Sequence, residues 1–245
     1  MVSAPVGFQC PDCARGGRSN IKVIRANDGF WNSLPVVTRS IIAACVGTFL
    51  IAMATGGQLN AAYSFGMSPL LVAEGEWWRL VTATFLHINT MHILFNMYAL
   101  LVLGSSLERA IGGSRFSLIY AFSAFGGSVA SFWFSDLLTL GVGASGAVFG
   151  LMTATIVVGR ALRTDVNQIL FWLGLNIVFG FLAPGIDWRA HLGGAIIGAI
   201  TARIIVRSRS IKLTRAQISS LAILGVVLLG LVAVRISAIL STVGN

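Results

Sequence analysis

The sequence is poor in charged residues. Only 10% of its 245 residues are Asp, Glu, Lys or Arg, whereas 56% are hydrophobic. Soluble globular domains carry about 25% charged residues, and the mean hydropathy of this chain is +0.86. The composition therefore excludes an ordinary soluble domain and predicts an integral membrane protein in a lipid bilayer.

Acidic residues are the scarcest charged type, with 8 Asp and Glu against 17 Lys and Arg, a formal net charge of +9. Such an excess is typical of nucleic-acid-binding proteins. It also arises when the cytoplasmic loops of a membrane protein are rich in Lys and Arg. The distribution described below favours the second explanation, and we expect no nucleic-acid partner.

Cysteine and histidine are also rare, with three of each. Cys45 lies inside an apolar run and is expected to be a buried small hydrophobe. Cys10 and Cys13 form a CPDC motif, half of a zinc-ribbon signature. A closed zinc site needs four ligands, and no other Cys or His precedes residue 45. We therefore expect no cofactor and no metal, with zinc shared between two chains or a redox role as the alternatives for this pair.

Long apolar runs dominate the rest of the sequence. A membrane-spanning helix needs about 17–25 mostly apolar residues. Seven segments near this length predict an all-α, polytopic membrane helix bundle, at about 36–54, 91–107, 114–134, 145–160, 167–183, 189–206 and 216–235.

The basic residues predict how the bundle is oriented. The first 35 residues are polar and glycine-rich, so no signal peptide is expected. If the N-terminus is cytoplasmic, fourteen Lys and Arg residues fall on the inside and only Arg79, Arg189 and Arg235 on the outside. Because cytoplasmic loops carry the excess of Lys and Arg, we expect a cytoplasmic N-terminus and an external C-terminus.

Polar residues recur at the starts of the second, fourth and sixth segments, which all run from outside to inside. His92 and Asn96 lie in the first turns of the second segment, Ser145 begins the fourth, and His191 lies in the first turn of the sixth. At about 1.5 Å rise per residue, these side chains share one depth, and His87 precedes them in the same layer. Ionisable and polar groups in a membrane are costly, so the cluster indicates a functional site.

Small residues predict that two of these helices touch. They recur every four residues on the fourth segment (Gly146, Gly150) and on the sixth (Gly194, Gly198). Such faces let helix backbones approach closely, which would bring Ser145 within reach of His191.

A serine beside an imidazole is an activated nucleophile pair. The carboxylate nearest to His191 in sequence is Asp187, for which a solvated position before the helix is the preferred interpretation, so we predict a dyad. Phe149, one turn after Ser145, could stack on the imidazole and orient it. The Ser145 N–H at a helix start, with His92 and Asn96, could stabilise an oxyanion.

These residues resemble the motifs of the rhomboid family of intramembrane serine proteases. HINTMHILFN (87–96) fits the family pattern H-x4-H-x3-N, GASG (143–146) fits its nucleophile motif, and AHLGG (190–194) fits its histidine motif. The pair Trp78 and Arg79 looks like the Trp-Arg pair of the first loop, and LERAIGGSRF resembles the turn between the second and third helices.

The resemblance implies a catalytic core of six transmembrane helices at 36–206, a cytoplasmic tail at 1–35, and a linker with an additional seventh helix at 207–245. It implies Ser145 as nucleophile, His191 as general base and then acid, and an oxyanion hole formed by His92, Asn96 and the Ser145 amide. It also implies a water-filled cavity open to the outer face, and a lateral gate at the fifth helix around Phe171, Trp172 and Phe181. Substrates would be single-span proteins of the cell membrane, cleaved within their transmembrane segments.

Two other functions compete with this one. A non-catalytic relative would bind transmembrane helices, but such proteins typically lack the serine or the histidine. A transporter would more often show broken helices, internal repeats or several charges within its spans, and the sequence shows no convincing repeat and no carboxylate in the middle of a span.

Overall fold

The structure is a computed structural model, and it describes residues 2–3, 8–9, 29–182, 185–208 and 213–243. The chain divides into two compact units, Met1–Leu34 and Pro35–Asn245. In the first, strand β1 (Val2–Ser3) pairs antiparallel with β2 (Phe8–Gln9), and helix α1 covers Phe30–Ser33. Cys10 and Cys13 lie outside the described residues, so the expectations for this pair stay predictions, as do the bounds of the three predicted domains.

The second unit consists of helices. Four of its elements are short and follow the first long helix. They are three helices at Gln58–Phe65, Pro69–Ala73 and Arg79–Thr82 and a 3₁₀ turn at Ala83–Phe85. In chain order the helices are α2 (Val36–Ala54), α3 (Gln58–Phe65), α4 (Pro69–Ala73), α5 (Arg79–Thr82), α6 (Thr90–Ile111), α7 (Gly113–Phe134), α8 (Ser145–Leu162), α9 (Asn167–Leu182), α10 (Trp188–Val206) and α11 (Arg215–Val243).

Among the described residues, six helices are long and apolar enough to cross a membrane: α2, α6, α7, α8, α10 and α11. Helix α9 is apolar but shorter, with 16 residues. Each of the seven predicted segments corresponds to one of these helices. The predicted all-α, polytopic membrane bundle is therefore confirmed.

The last helix is longer than the predicted segment, which ended at residue 235. In the structure, α11 continues past Arg235 to Val243. The Arg235 guanidinium donates to the Phe132 carbonyl at 3.3 Å and lies 5.8 Å from the centre of the Trp133 ring. Later hydroxyls, such as that of Ser237, donate to carbonyls of the same helix. These contacts satisfy the polar side chains, so the helix does not have to stop at them.

Helices α7, α8 and α10 pack most closely and form the centre of the bundle. Glycines make this possible. A Cβ on Gly194 would collide with the backbone of Gly146, and a Cβ on Gly198 would collide with the backbone of Gly150. The two contacts have the same spacing along α8 and α10, so these helices run parallel in the register that the small residues predicted.

A buried carboxylate ties α2 to α6. The Glu108 side chain is 6% exposed and accepts hydrogen bonds from the Val37 N–H (3.0 Å), the Thr38 N–H (2.7 Å) and the Thr38 hydroxyl (2.8 Å). Backbone N–H groups at a helix start lack partners within the helix and favour negative charge. Glu108 therefore caps the start of α2 from a neighbouring helix.

The stretch between α2 and α6 positions the loop before α8. Met67 and Gly141 exchange two backbone hydrogen bonds, at 2.9 and 2.8 Å, and the Gly143 N–H donates to the Ala83 carbonyl at 2.9 Å. Arg79 is buried, donating to the Gly66 carbonyl at 2.8 Å and pairing with the carboxylate of Glu76. The stretch thus holds residues 141–143 immediately before Ser145.

Candidate active site

Ser145 is the first residue of α8, where its backbone N–H has no partner one turn earlier in the helix. The turn that leads to it depends on Gly143, which has a φ of +129°, a region that side-chain-bearing residues rarely occupy. A Cβ on Gly143 would stand 2.7 Å from the His92 Nε2 atom. Both backbone and space therefore require glycine at this position of the GASG motif.

His191 lies in the first turn of α10, beside the start of α8. Its Nε2 atom is 2.8 Å from the Ser145 Oγ atom, within hydrogen-bond distance. The Phe149 ring stacks on the imidazole, with ring centres 4.1 Å apart and an interplanar angle of 13°. The structure therefore brings together the serine and the histidine that the sequence singled out, together with the predicted stacking aromatic ring.

His92 and Asn96 come from the start of α6. The Asn89 side chain caps this helix by accepting from the His92 N–H at 2.9 Å. The imidazole of His92 lies against Gly143. A Cβ built on Gly143 would also stand 3.8 Å from Ser145 Oγ, so the imidazole and the hydroxyl both lie close to this glycine. Asn96 is buried one turn further along, and its side-chain amide donates to the His92 carbonyl at 2.9 Å. This leaves the second amide hydrogen of Asn96 for another acceptor.

His87 supports this group from the segment before α6. Its ring packs edge-on against His92, with centres 5.0 Å apart, and is only 3% exposed. Burial, together with the neighbouring His92, lowers the pKa of His87 to about 4, and the Phe85 carbonyl opposes this only in part. His87 is therefore neutral near pH 7 and places no charge beside His92.

Asp187 differs from its preferred sequence interpretation. It is the N-cap residue of α10 and is half-buried rather than solvated. Its Oδ1 atom accepts from the N–H groups of Arg189 and Ala190, each at 3.1 Å, and its Oδ2 atom accepts from the Ser131 hydroxyl. The His191 Nδ1 atom has no hydrogen-bond partner in the described part of the chain, so Asp187 is not hydrogen-bonded to it. The Ser-His dyad stays a prediction.

Ser131 was missed by sequence reasoning. It lies near the end of α7 with 1% exposure, and it contacts both the Asp187 carboxylate and the Ser135 hydroxyl, the latter at 3.2 Å. A lone serine in an apolar helix gives no indication that its partner lies 56 residues later. In residues 2–3, 8–9, 29–182, 185–208 and 213–243, no group of three His, Cys, Asp or Glu residues is arranged to hold a metal ion.

Comparison with known proteins agrees with these motifs. Residues 74–208, more than half of the chain, match the family model described as the rhomboid domain. The chain belongs to the rhomboid family. The matched stretch contains all four predicted site residues, and the resemblance drawn from the sequence is confirmed.

Several curated rhomboid relatives are similar over part of their length. The chain is 39% identical over 181 residues to rhomboid protease GluP of Bacillus subtilis (strain 168), covering 71% of this chain and 35% of that protein. It is 36% identical over 135 residues to RHOMBOID-like protein 6, mitochondrial, of Arabidopsis thaliana, covering 52% of this chain and 43% of that protein. It is 34% identical over 159 residues to rhomboid protease AarA of Providencia stuartii, covering 53% of this chain and 56% of that protein. The chain therefore spans from about a third to just over half of these relatives.

Proposed function

We propose that this rhomboid is an intramembrane serine protease that cleaves the transmembrane segments of single-span membrane proteins by a Ser-His dyad. The observation that carries the proposal is the 2.8 Å separation between Ser145 Oγ and His191 Nε2 at the start of two parallel helices. A serine so close to an imidazole can transfer its proton as it attacks a carbonyl carbon. The relatives named as rhomboid proteases support the same chemistry.

The reaction proceeds in two halves. Ser145 Oγ attacks the scissile carbonyl while His191 Nε2 accepts the hydroxyl proton. The imidazolium then gives that proton to the leaving amine, and an acyl-enzyme on Ser145 remains. Water attacks the ester with His191 again as base, and return of the proton to Ser145 releases the carboxylic acid.

Three hydrogen-bond donors are candidates to stabilise the oxyanion that forms during the attack. The Ser145 N–H is at the start of α8, the His92 imidazole lies beside Gly143, and Asn96 has an amide hydrogen that its bond to the His92 carbonyl does not use. Donors arranged before the reaction stabilise the transition state more than the substrate. We propose that these three groups form the oxyanion hole.

The substrate would enter beside α9, whose aromatic side chains are largely exposed, with Phe171 at 65%, Trp172 at 47% and Phe181 at 60%. An apolar, weakly covered helix of 16 residues is a suitable lateral gate for another transmembrane segment. We place the protein in the cell membrane with the N-terminus in the cytoplasm and the C-terminus outside, on the basis of the Lys and Arg distribution.

A fluorophosphonate probe tests the proposal together with a model transmembrane substrate. In liposomes, the wild-type chain is expected to react with the probe at Ser145 and to cleave the substrate. Ser145→Ala is expected to lose both activities and keep the same thermal unfolding. Ser237→Ala, which removes an exposed hydroxyl bonded only within α11, is the matched control. Cleavage by Ser145→Ala at the wild-type rate would remove Ser145 from the mechanism, and an inert, unlabelled wild type would favour a helix-binding or transport protein.

A further inference from the structure

Asp187 connects three parts of the molecule at the start of α10. One carboxylate oxygen accepts from two backbone N–H groups of the first turn, at 3.1 Å each, and the other accepts from the Ser131 hydroxyl of α7. The Asp187 carbonyl also accepts from the His191 N–H at 3.2 Å. A Cβ on Gly141, in the loop before Ser145, would stand 3.6 Å from Oδ2. Asp187 thus bonds to the helix that bears the histidine and lies near the loop that leads to the serine.

We propose that Asp187 is a positioning residue for His191, which acts by anchoring the start of α10 to Ser131 and not by a hydrogen bond to the imidazole. The inference rests on the proposed function for its effect on activity. It differs from a Ser-His-Asp triad, in which the carboxylate would bond to the imidazole and stabilise its charged form.

The contacts of the imidazole support this distinction. Both oxygens of Asp187 are already engaged, and the His191 Nδ1 atom has no hydrogen-bond partner in the described residues. A Cβ on Gly180 of α9 would stand 3.4 Å from that nitrogen, and the stacked Phe149 ring covers one face of the imidazole. The orientation of the ring is therefore set by packing, and the hydrogen bonds of the carboxylate act on the start of the helix.

Anchoring of the helix start matters because His191 lies one turn after Asp187. After His191, α10 is packed closely against α7 and α8; for example, a Cβ on Gly193 would stand 2.6 Å from the Gly126 carbonyl oxygen of α7. Before His191, the Ser131 hydroxyl joins α7 to the residue that caps α10. Loss of that link would let the first turn of α10 fray, and a misplacement of about 1 Å at a reacting atom can cost about 100-fold in rate.

Two substitutions of the same residue separate positioning from charge. In Asp187→Asn, the amide oxygen still accepts from the backbone and the amide nitrogen can contact Ser131, so kcat is expected within about 3-fold of wild type. In Asp187→Ala, both contacts are lost, and kcat is expected to fall about 10- to 100-fold with KM little changed. Because both substitutions remove the carboxylate charge, any shift of the pH midpoint of kcat/KM should be the same in the two variants, and the difference in kcat between them reports the lost contacts.

The full chain in liposomes is used for all kinetic measurements. Asp136→Ala, which removes an exposed carboxylate after α7, is the matched control and is expected to behave as wild type. The proposal is overturned if Asp187→Asn loses as much activity as Asp187→Ala, because that result assigns the effect to the carboxylate charge and not to its contacts. It is also overturned if Asp187→Ala is as active as wild type.

Hydrogen exchange gives a readout that does not depend on protease activity. The backbone amides at 189–191 are expected to exchange faster in Asp187→Ala than in wild type, and to remain protected in Asp187→Asn. Equal protection in Asp187→Ala and wild type would refute the anchoring. If the wild type cleaves nothing while this exchange pattern is found, the proposed function fails and the anchoring role of Asp187 stands.

Discussion

Substitution of Gly143 by alanine tests whether the position of His92 matters for the reaction. The residue has a φ of +129°, and an added Cβ would stand 2.7 Å from the His92 Nε2 atom. Because unstrained van der Waals contacts begin at about 3.5 Å, the imidazole would have to move by about 0.8 Å. The substitution therefore displaces a proposed oxyanion donor without removing it.

The expected effects on stability and on rate have different sizes and origins. Backbone strain at such a φ costs about 1–3 kcal/mol and lowers the unfolding temperature. Removal of one oxyanion-hole donor typically costs about 100- to 1,000-fold in kcat. A displaced donor should cost less, so we expect kcat to fall about 10- to 100-fold while KM changes little.

Gly75→Ala is the matched control. Gly75 has a φ of +111°, but no atom lies within 4 Å of an added Cβ. This variant therefore imposes similar strain without displacing His92. Cleavage of a model transmembrane substrate in liposomes and thermal unfolding in detergent are measured for both variants. If Gly143→Ala cleaves as fast as Gly75→Ala at equal stability, the placement of His92 beside Gly143 has no part in the reaction.

Two further predictions concern other polar groups. Glu108→Ala leaves the backbone N–H of Thr38 buried without its acceptor, and should destabilise the protein by about 3 kcal/mol. Thermal unfolding measures the loss of stability. A loss no larger than that caused by Glu74→Ala, which removes an exposed carboxylate, would contradict the prediction. His92→Ala and Asn96→Ala should each lower kcat more than they raise KM, since an oxyanion hole acts mainly in the transition state. Steady-state kinetics measure both constants. A rise in KM as large as the fall in kcat would favour a structural role for these residues.

The helices were predictable because a bilayer imposes one simple demand on the sequence. Each span needs a run of apolar residues, so the interiors of α2 and α8 could be located from composition alone. The ends were less predictable because they depend on partners elsewhere. The segment that became α11 was ended too early at Arg235, whose guanidinium bonds to the Phe132 carbonyl of another helix. The sequence around Arg235 does not indicate that partner.

The same division applies to the candidate site. The approach of Ser145 to His191 was predictable because small residues repeat every four positions on both helices, and Gly146 meets Gly194 as that spacing requires. The bonding of Asp187 was not predictable. A carboxylate before a helix looks the same in sequence whether it is solvated or bonded to a serine 56 residues earlier.

The proposed dyad, without a carboxylate hydrogen-bonded to its imidazole, suits a site built inside a membrane bundle. An ionised carboxylate within a span would cost about 2.5–3.5 kcal/mol, whereas Asp187 stands before the first turn of α10, where backbone N–H groups already require an acceptor. Orientation of the imidazole is left to the Phe149 ring and to the close contact of α8 with α10. The same glycine contacts hold α8 against α10 and bring Ser145 close to His191, so a side chain added at Gly194 is expected to separate both the helices and the two residues. We therefore expect stability and the proposed hydrolysis to be coupled at these glycines, whereas at Gly143 the comparison with Gly75→Ala separates the two effects.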